Sequence, residues 1–100
     1  MPTISVNRKE FEKLVAKKLA DSKLKDRISF LGTDLEEVTS EEIKVEVFPN
    51  RPDMLSLQGF ARAFSSFIGA KPGLRRYDVS DPKHEVIIDK SVSKVRPYTA

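Results

Sequence analysis

One hundred residues suffice for one small domain, which buries about two-thirds of the surface its unfolded chain exposes and leaves no room for a large enclosed site. With 39% apolar and 33% charged residues, four Gly and six Pro, the composition is that of an ordinary folded domain. There is no cysteine and one histidine, His84, which excludes disulfide scaffolds, thiol catalysis, zinc ribbons and multi-histidine metal sites.

The net charge of +3 hides three blocks: Met1 to Arg27 carries +4, Ile28 to Ser56 carries −5, and Leu57 to Ala100 carries +4. A domain that holds nucleic acid by itself gathers Lys and Arg on one face. Here an acidic middle separates basic ends, and a mixed, solvated surface is the preferred reading. No window approaches the run of about 18 apolar residues that a membrane span requires, and MPTISVNRKE lacks the apolar core of a secretory leader. The expectation is a cytoplasmic chain without membrane contact.

Thr3 to Val6 is a short β-branched run, followed by Asn7 and, three residues on, Glu10, the spacing of a capped helix start. A helix is predicted from Arg8, with Val6 and Phe11 able to close as a hydrophobic staple and Phe11, Leu14, Val15 and Leu19 on one face. Lys9, Lys13 and Lys17 recur at four-residue steps on another face, as solvated surface or, in the alternative, as a stripe that tracks phosphates. Asp21 to Arg27 reads as a connection or a weak helical turn, and Gly32 stops what precedes it.

From Leu35 the pattern changes to alternation: Leu35 and Val38 flank an acidic pair, and Ile43, Val45 and Val47 alternate with Lys44, Glu46 and Phe48. Thr39 to Glu42 suits a tight connection, which predicts an antiparallel hairpin with one buried face. Pro49-Asn50-Arg51-Pro52-Asp53 then forces a turn, since each proline lacks an amide donor and pushes the residue before it toward extended geometry. Ser56 caps a second long helix with the stripe Leu57, Phe60, Ala61, Phe64 and Ile68. Gly59 inside that helix costs about 1 kcal/mol relative to Ala, so its use implies close approach of another backbone. Gly69 offers a left-handed cap and Pro72-Gly73 a turn; Ser80 to Lys83 is turn-rich; Val86-Ile87-Ile88 reads as one strand. Ser91 to Ala100 has no period and reads as a connection cut from something longer.

Chemistry is hard to find. There is no phosphate-binding Gly-rich loop, no paired-histidine motif and no nucleophile elbow. Glu36 with Glu37, and Glu41 with Glu42, are neighbours whose side chains point to opposite faces of a strand and do not converge. His84 lies among Asp81, Lys83 and Glu85, the setting of an exposed imidazole. Phe48 to Ser56 is the segment whose composition demands an explanation. There Arg51 can pair with Asp53 or reach a neighbouring domain through a bidentate contact, and Asn50 suits the turn. Asn50, Arg51, Pro52 and Asp53 are therefore the candidate contact with other domains.

Met-Pro-Thr-Ile-Ser-Val, Leu-Gly-Thr-Asp-Leu-Glu-Glu, Val-Glu-Val-Phe-Pro-Asn-Arg-Pro-Asp-Met-Leu-Ser, Gly-Phe-Ala-Arg-Ala, Gly-Leu-Arg-Arg-Tyr and Val-Arg-Pro-Tyr-Thr-Ala occur in that order along the whole chain. Together they resemble the start of the β subunit of phenylalanyl-tRNA synthetase in its archaeal and eukaryotic form. The resemblance implies an α+β fold, a small winged-helix-like or DNA-binding-like domain with helices packed on a short antiparallel sheet. It implies a non-catalytic structural module over residues 1–90 and a connection over 91–100 toward a following editing domain. It also implies a heterotetrameric ligase that charges tRNA with phenylalanine, using ATP and magnesium at a site on the α subunit. No catalytic residue, metal site or cofactor is expected in this chain itself. The rival expectation is a winged-helix module that binds tRNA or DNA, with Lys9, Lys13, Lys17, Arg75 and Arg76 on phosphates and the hairpin as a wing. A free-standing enzyme has no support in the sequence.

Overall fold

A computed structural model describes residues 1–97. Strand β1 (Thr3–Asn7) runs directly into helix α1 (Arg8–Val15), and helix α2 (Asp21–Phe30) follows. Strands β2 (Asp34–Val38) and β3 (Glu42–Glu46) form the expected hairpin, and helix α3 (Leu57–Phe67) comes after a short 3₁₀ turn at Pro52–Met54. A second 3₁₀ turn spans Lys90–Lys94. The α+β class and the packing of helices on a short antiparallel sheet are as expected. The narrower winged-helix label is not established by this arrangement.

The sheet has three strands in the order β1-β3-β2, all antiparallel. The hairpin is local and legible in the sequence, whereas the pairing of Thr3 with Glu46 has no local signal. Val6 opposite Ile43 and Ile4 opposite Val45 place β1's apolar side chains on the face that Ile43, Val45 and Val47 bury. Leu35 and Val38 are three apart, which strict alternation would send to opposite faces. A bulge between Leu35 and Glu37 absorbs the odd residue, so Leu35 opposes Val45, Val38 opposes Ile43, and both pack on the core. Thr39 Oγ1 accepts from the amides of Glu41 (3.2 Å) and Glu42 (2.9 Å) and closes the connection.

Helix α1 starts where the sequence places it, with Asn7 Oδ1 accepting from the Glu10 amide at 3.1 Å. Val6 and Phe11, the expected staple, both lie in the buried cluster. The helix stops four residues earlier than the apolar repeat suggested. Ala16 adopts φ 61°, ψ 25° and ends it, so Leu19 and Lys17 lie outside α1 and Leu14 is exposed. The polar stretch from Asp21 is a ten-residue helix, not a connection. It contributes only Leu24 and Ile28 to the core, and Ala20 provides no side-chain cap, so neither the apolar repeat nor a start signal revealed it. Gly32, at φ 89°, turns the chain away from it.

Helix α3 lies on α1 through three buried rings: Phe11 is 5.3 Å from both Phe60 and Phe64, centroid to centroid, and stacks on the former at 24°. Such pairs add about 0.5–1.5 kcal/mol each to the area they bury. Val86-Ile87-Ile88 forms no strand. It has an extended path, but no strand of the described chain pairs with it, and its side chains are exposed.

One buried contact escaped the sequence reading altogether. Arg8 is 9% exposed, and its guanidinium donates to Glu12 Oε1 (3.1 Å), to the Thr39 carbonyl (2.8 Å) and to Asp21 Oδ1 (2.5 Å). One side chain thus joins α1, the start of α2 and the hairpin connection. The hydrogen bond from Arg8 holds the Asp21 carboxyl below the usual carboxylate range. The only signal in the sequence was Glu12 four residues on, an ordinary surface pairing by itself.

Candidate docking surface at Phe48 to Ser56

After β3, Val47 is the last residue anchored in the sheet region, its amide bonded to the Pro2 carbonyl at 2.9 Å. The chain then turns twice. The Arg51 amide donates to the Phe48 carbonyl (3.0 Å), and the amides of Met54 and Leu55 donate to the carbonyls of Arg51 (3.1 Å) and Pro52 (3.2 Å). Pro52 suits the first position of this 3₁₀ turn, where no amide donor is needed. Met54, fully buried, fastens the turn to the core.

Arg51 and Asp53 form the local clamp that the sequence allowed. Nε donates to Oδ1 and Nη2 to Oδ2, each at 2.9 Å, a parallel fork between planar groups. The bonds from Arg51 hold the Asp53 carboxyl below its usual range, so the pair stays charged at neutral pH. Behind the clamp, the Asp53 carbonyl lies so near Gly59 that a Cβ there would be 1.8 Å from its oxygen. The close approach expected of Gly59 is therefore the seating of this turn on α3. Ser56 Oγ accepts from the Gly59 amide at 3.0 Å and caps the helix at the same point.

The result is a hydrogen-bonded knuckle with Asn50, Pro52 and Asp53 exposed and Arg51 half-buried. Phe48, 38% exposed, and Leu55, 40% exposed, flank it with apolar surface. Its carboxylate and guanidinium neutralise one another, which leaves no group poised to move a proton. Among the described residues, no group of three or more His, Cys, Asp or Glu is placed to hold a metal ion. His84 is exposed.

The five cations of the rival reading do not form one row. Lys9 and Lys13 are exposed on α1, while Lys17 lies beyond its end. Lys17 instead lines an open cleft of about 310 Å³ with Lys23, Arg27, Leu19, Phe67 and Ile68. Arg75 is half-buried and donates to Ser65 Oγ (2.5 Å) and Ser66 Oγ (3.3 Å), which ties it to α3; Arg76 is exposed. The hairpin that would serve as a wing carries Glu36, Glu37, Glu41, Glu42 and Glu46, charges that repel a phosphate backbone.

The chain is a small α+β domain in which the turn at Asn50–Asp53 is joined to α3 by the close approach of Asp53 to Gly59. The Phe-tRNA synthetase beta subunit B1 domain family matches residues 1–70, and the chain belongs to that family. It is 37% identical to the phenylalanine–tRNA ligase beta subunit of Methanococcus aeolicus over 98% of this chain and 18% of that protein. It is 38% identical to that of Archaeoglobus fulgidus over 97% of this chain and 17% of that protein. The chain thus spans about a sixth of the length of these relatives. The crystal structure of an N-terminal fragment of the phenylalanyl-tRNA synthetase beta-subunit from Pyrococcus horikoshii shares the fold. The TM-score is 0.71 at 25% identity, covering 97% of this chain and 29% of that one.

Proposed function

We propose that the chain is a non-catalytic structural module of a phenylalanine–tRNA ligase β subunit, and that the knuckle Asn50, Arg51, Pro52 and Asp53, with the outer side of α3, packs against other domains of that enzyme. The observation that carries this reading is the clamp itself: two charged side chains already satisfied by one another, in a turn seated on α3 and bordered by exposed Phe48 and Leu55. Preorganised polar surface with apolar flanks recognises a partner at low ordering cost. Membership of the family supports the parent activity, attachment of phenylalanine to its tRNA in the cytoplasm. ATP and magnesium would be used at a site on an α subunit, within a heterotetramer. This module would contribute none of that chemistry. The division into a module of residues 1–90 and a connection of 91–100 toward an editing domain belongs to the same proposal.

The test compares the intact ligase with an Arg51→Ala/Phe48→Asp form. Weaker assembly with an unchanged fold of residues 1–70 supports the reading; unchanged assembly refutes it for this surface. ATP hydrolysis or deacylation of tRNA by residues 1–100 alone, at rates near the intact enzyme, refutes it entirely. Saturable binding of tRNA that weakens steeply with salt, and falls in an Arg75→Ala/Arg76→Ala variant, would establish the nucleic-acid module in its place.

A further inference from the structure

Packed structure ends near Ala70; beyond it the side chains of Arg75 and Tyr77 still bond to α3, and the rest of the chain is laid out in the open. The last backbone bond before the second 3₁₀ turn is from the Lys71 amide to the Ser65 carbonyl; none joins residues 72–88 to any described residue. Seventeen residues of extended chain therefore leave their amides and carbonyls to solvent. Their large apolar side chains are out as well: Leu74 is 96% exposed, Val79 95% and Ile87 92%. The molecule is accordingly 53 Å long, with a radius of gyration of 17.1 Å. A compact domain of this length has about 13 Å.

Val86, Ile87 and Ile88 are consecutive, so their side chains point alternately to opposite faces of an extended segment. Covering one face would leave Ile87, or both its neighbours, in water. A run that is apolar on both faces is the pattern of a strand inside a sheet that is packed on both sides. Neither edge of this domain's own sheet, β1 or β2, receives it. We propose that residues 74–88 are a strap, and that Val86–Ile88 adds as a strand to a sheet edge in the polypeptide that follows this module in the longer β subunit. The inference rests on reading the chain as the first part of that subunit.

Two observations favour the following polypeptide as the occupant. The relatives are more than five times as long as the stretch this chain matches, so in the longer subunit further polypeptide of the same chain is tethered to the strap and meets it at high effective concentration. The likeness to the solved N-terminal fragment takes in 97% of this chain, strap included, and that fragment is more than three times the matched length. The strap thus lies within the stretch matched to a longer polypeptide, in which more chain is present to support it. Strand addition satisfies the idle backbone groups and the two apolar faces together.

Hydrogen exchange measured on the whole β subunit and on residues 1–100 tests this. The amides of Val86, Ile87 and Ile88 are expected to exchange freely in residues 1–100 and at least a hundredfold more slowly in the whole subunit. Ile87→Asp in the whole subunit should return them to free exchange while leaving the α3 amides protected; should that form fail to fold, Ile87→Thr, which keeps β propensity, should reduce the protection. Lys83→Asp should change nothing. Equal exchange in both lengths overturns the proposal. So does protection that rises with the concentration of residues 1–100, which marks a second copy as the occupant, or protection that appears only when another subunit is added. A ligase that assembles through the knuckle while residues 86–88 stay unprotected refutes the strap alone; a subunit that never joins a ligase refutes the functional reading first.

Discussion

Replacing Gly59 by Ala sets two effects of opposite sign against one another. In a solvent-exposed helix interior the change stabilises by about 1 kcal/mol, because glycine loses more backbone freedom on folding. At this position the new methyl carbon would stand 1.8 Å from the Asp53 carbonyl oxygen, 3.0 Å from its carbon and 3.1 Å from Ser56 Oγ. The carbonyl must retreat by roughly 1.2 Å to reach the 3.0 Å below which Cβ atoms are essentially never found. It cannot do so alone, because its peptide leads into Met54, which is fully buried and whose amide bonds to Arg51. Losing the two 3₁₀ bonds costs about 1 kcal/mol each. Displacing Met54 adds an overpacking cost of about 1–3 kcal/mol. Less the propensity gain, the net loss is about 3 kcal/mol, or roughly 15 °C in Tm for a domain of this size. Thermal and urea denaturation measure it, with Gly69→Ala as the comparison. Gly69 has φ 72° and open space around it, so only its left-handed conformation matters, at about 1–2 kcal/mol. If Gly59→Ala were no more damaging than Gly69→Ala, or were stabilising, the knuckle would not be seated on α3 as described.

Arg8→Met keeps the buried stem and removes the guanidinium, leaving the Thr39 carbonyl and a largely buried Glu12 without their partner. A loss of about 2–3 kcal/mol by urea denaturation is expected, and a change below about 0.5 kcal/mol would show that the three-way contact contributes nothing. The same contact predicts an acid response. Asp21 has a carboxyl depressed by Arg8 in the folded state, so its contribution is present above the unfolded carboxylate pKa and is lost as pH falls through the folded one. Urea midpoints measured from pH 6 down to pH 2 should fall less steeply in Asp21→Asn than in the parent; parallel curves would refute the pairing. Ala16, at φ 61°, occupies a left-handed position that glycine adopts without strain, so Ala16→Gly should raise stability by about 0.5–1 kcal/mol by thermal denaturation.

What the sequence revealed, and what it hid, divides by range. Asn7 with Glu10 and Ser56 with Gly59 are contacts within one helical turn, and both caps stand where they were expected. The same holds for the Arg51–Asp53 fork and for Gly59, where a residue that weakens a helix was evidence of a neighbour pressing on it. Helix α2 was hidden because two buried residues in ten give no repeat to see; what it gains is packing against β2 and the hold of Arg8 on Asp21. The pairing of β1 with β3 spans some forty residues, and the alternation of Ile4 and Val6 says that a strand needs a partner without saying which.

Val86 to Ile88 shows the same limit from the other side. Three adjacent β-branched side chains disfavour a helix and favour burial on two faces, yet no strand forms there. A strand, however, is defined by its neighbour, and residues 1–97 contain none for it. Ile4 and Val6 met β3 within the domain; Val86 and Ile87 extend into solvent. The difference between the two runs therefore lies in the rest of the chain, where the partner is or is not supplied, and not in the runs themselves.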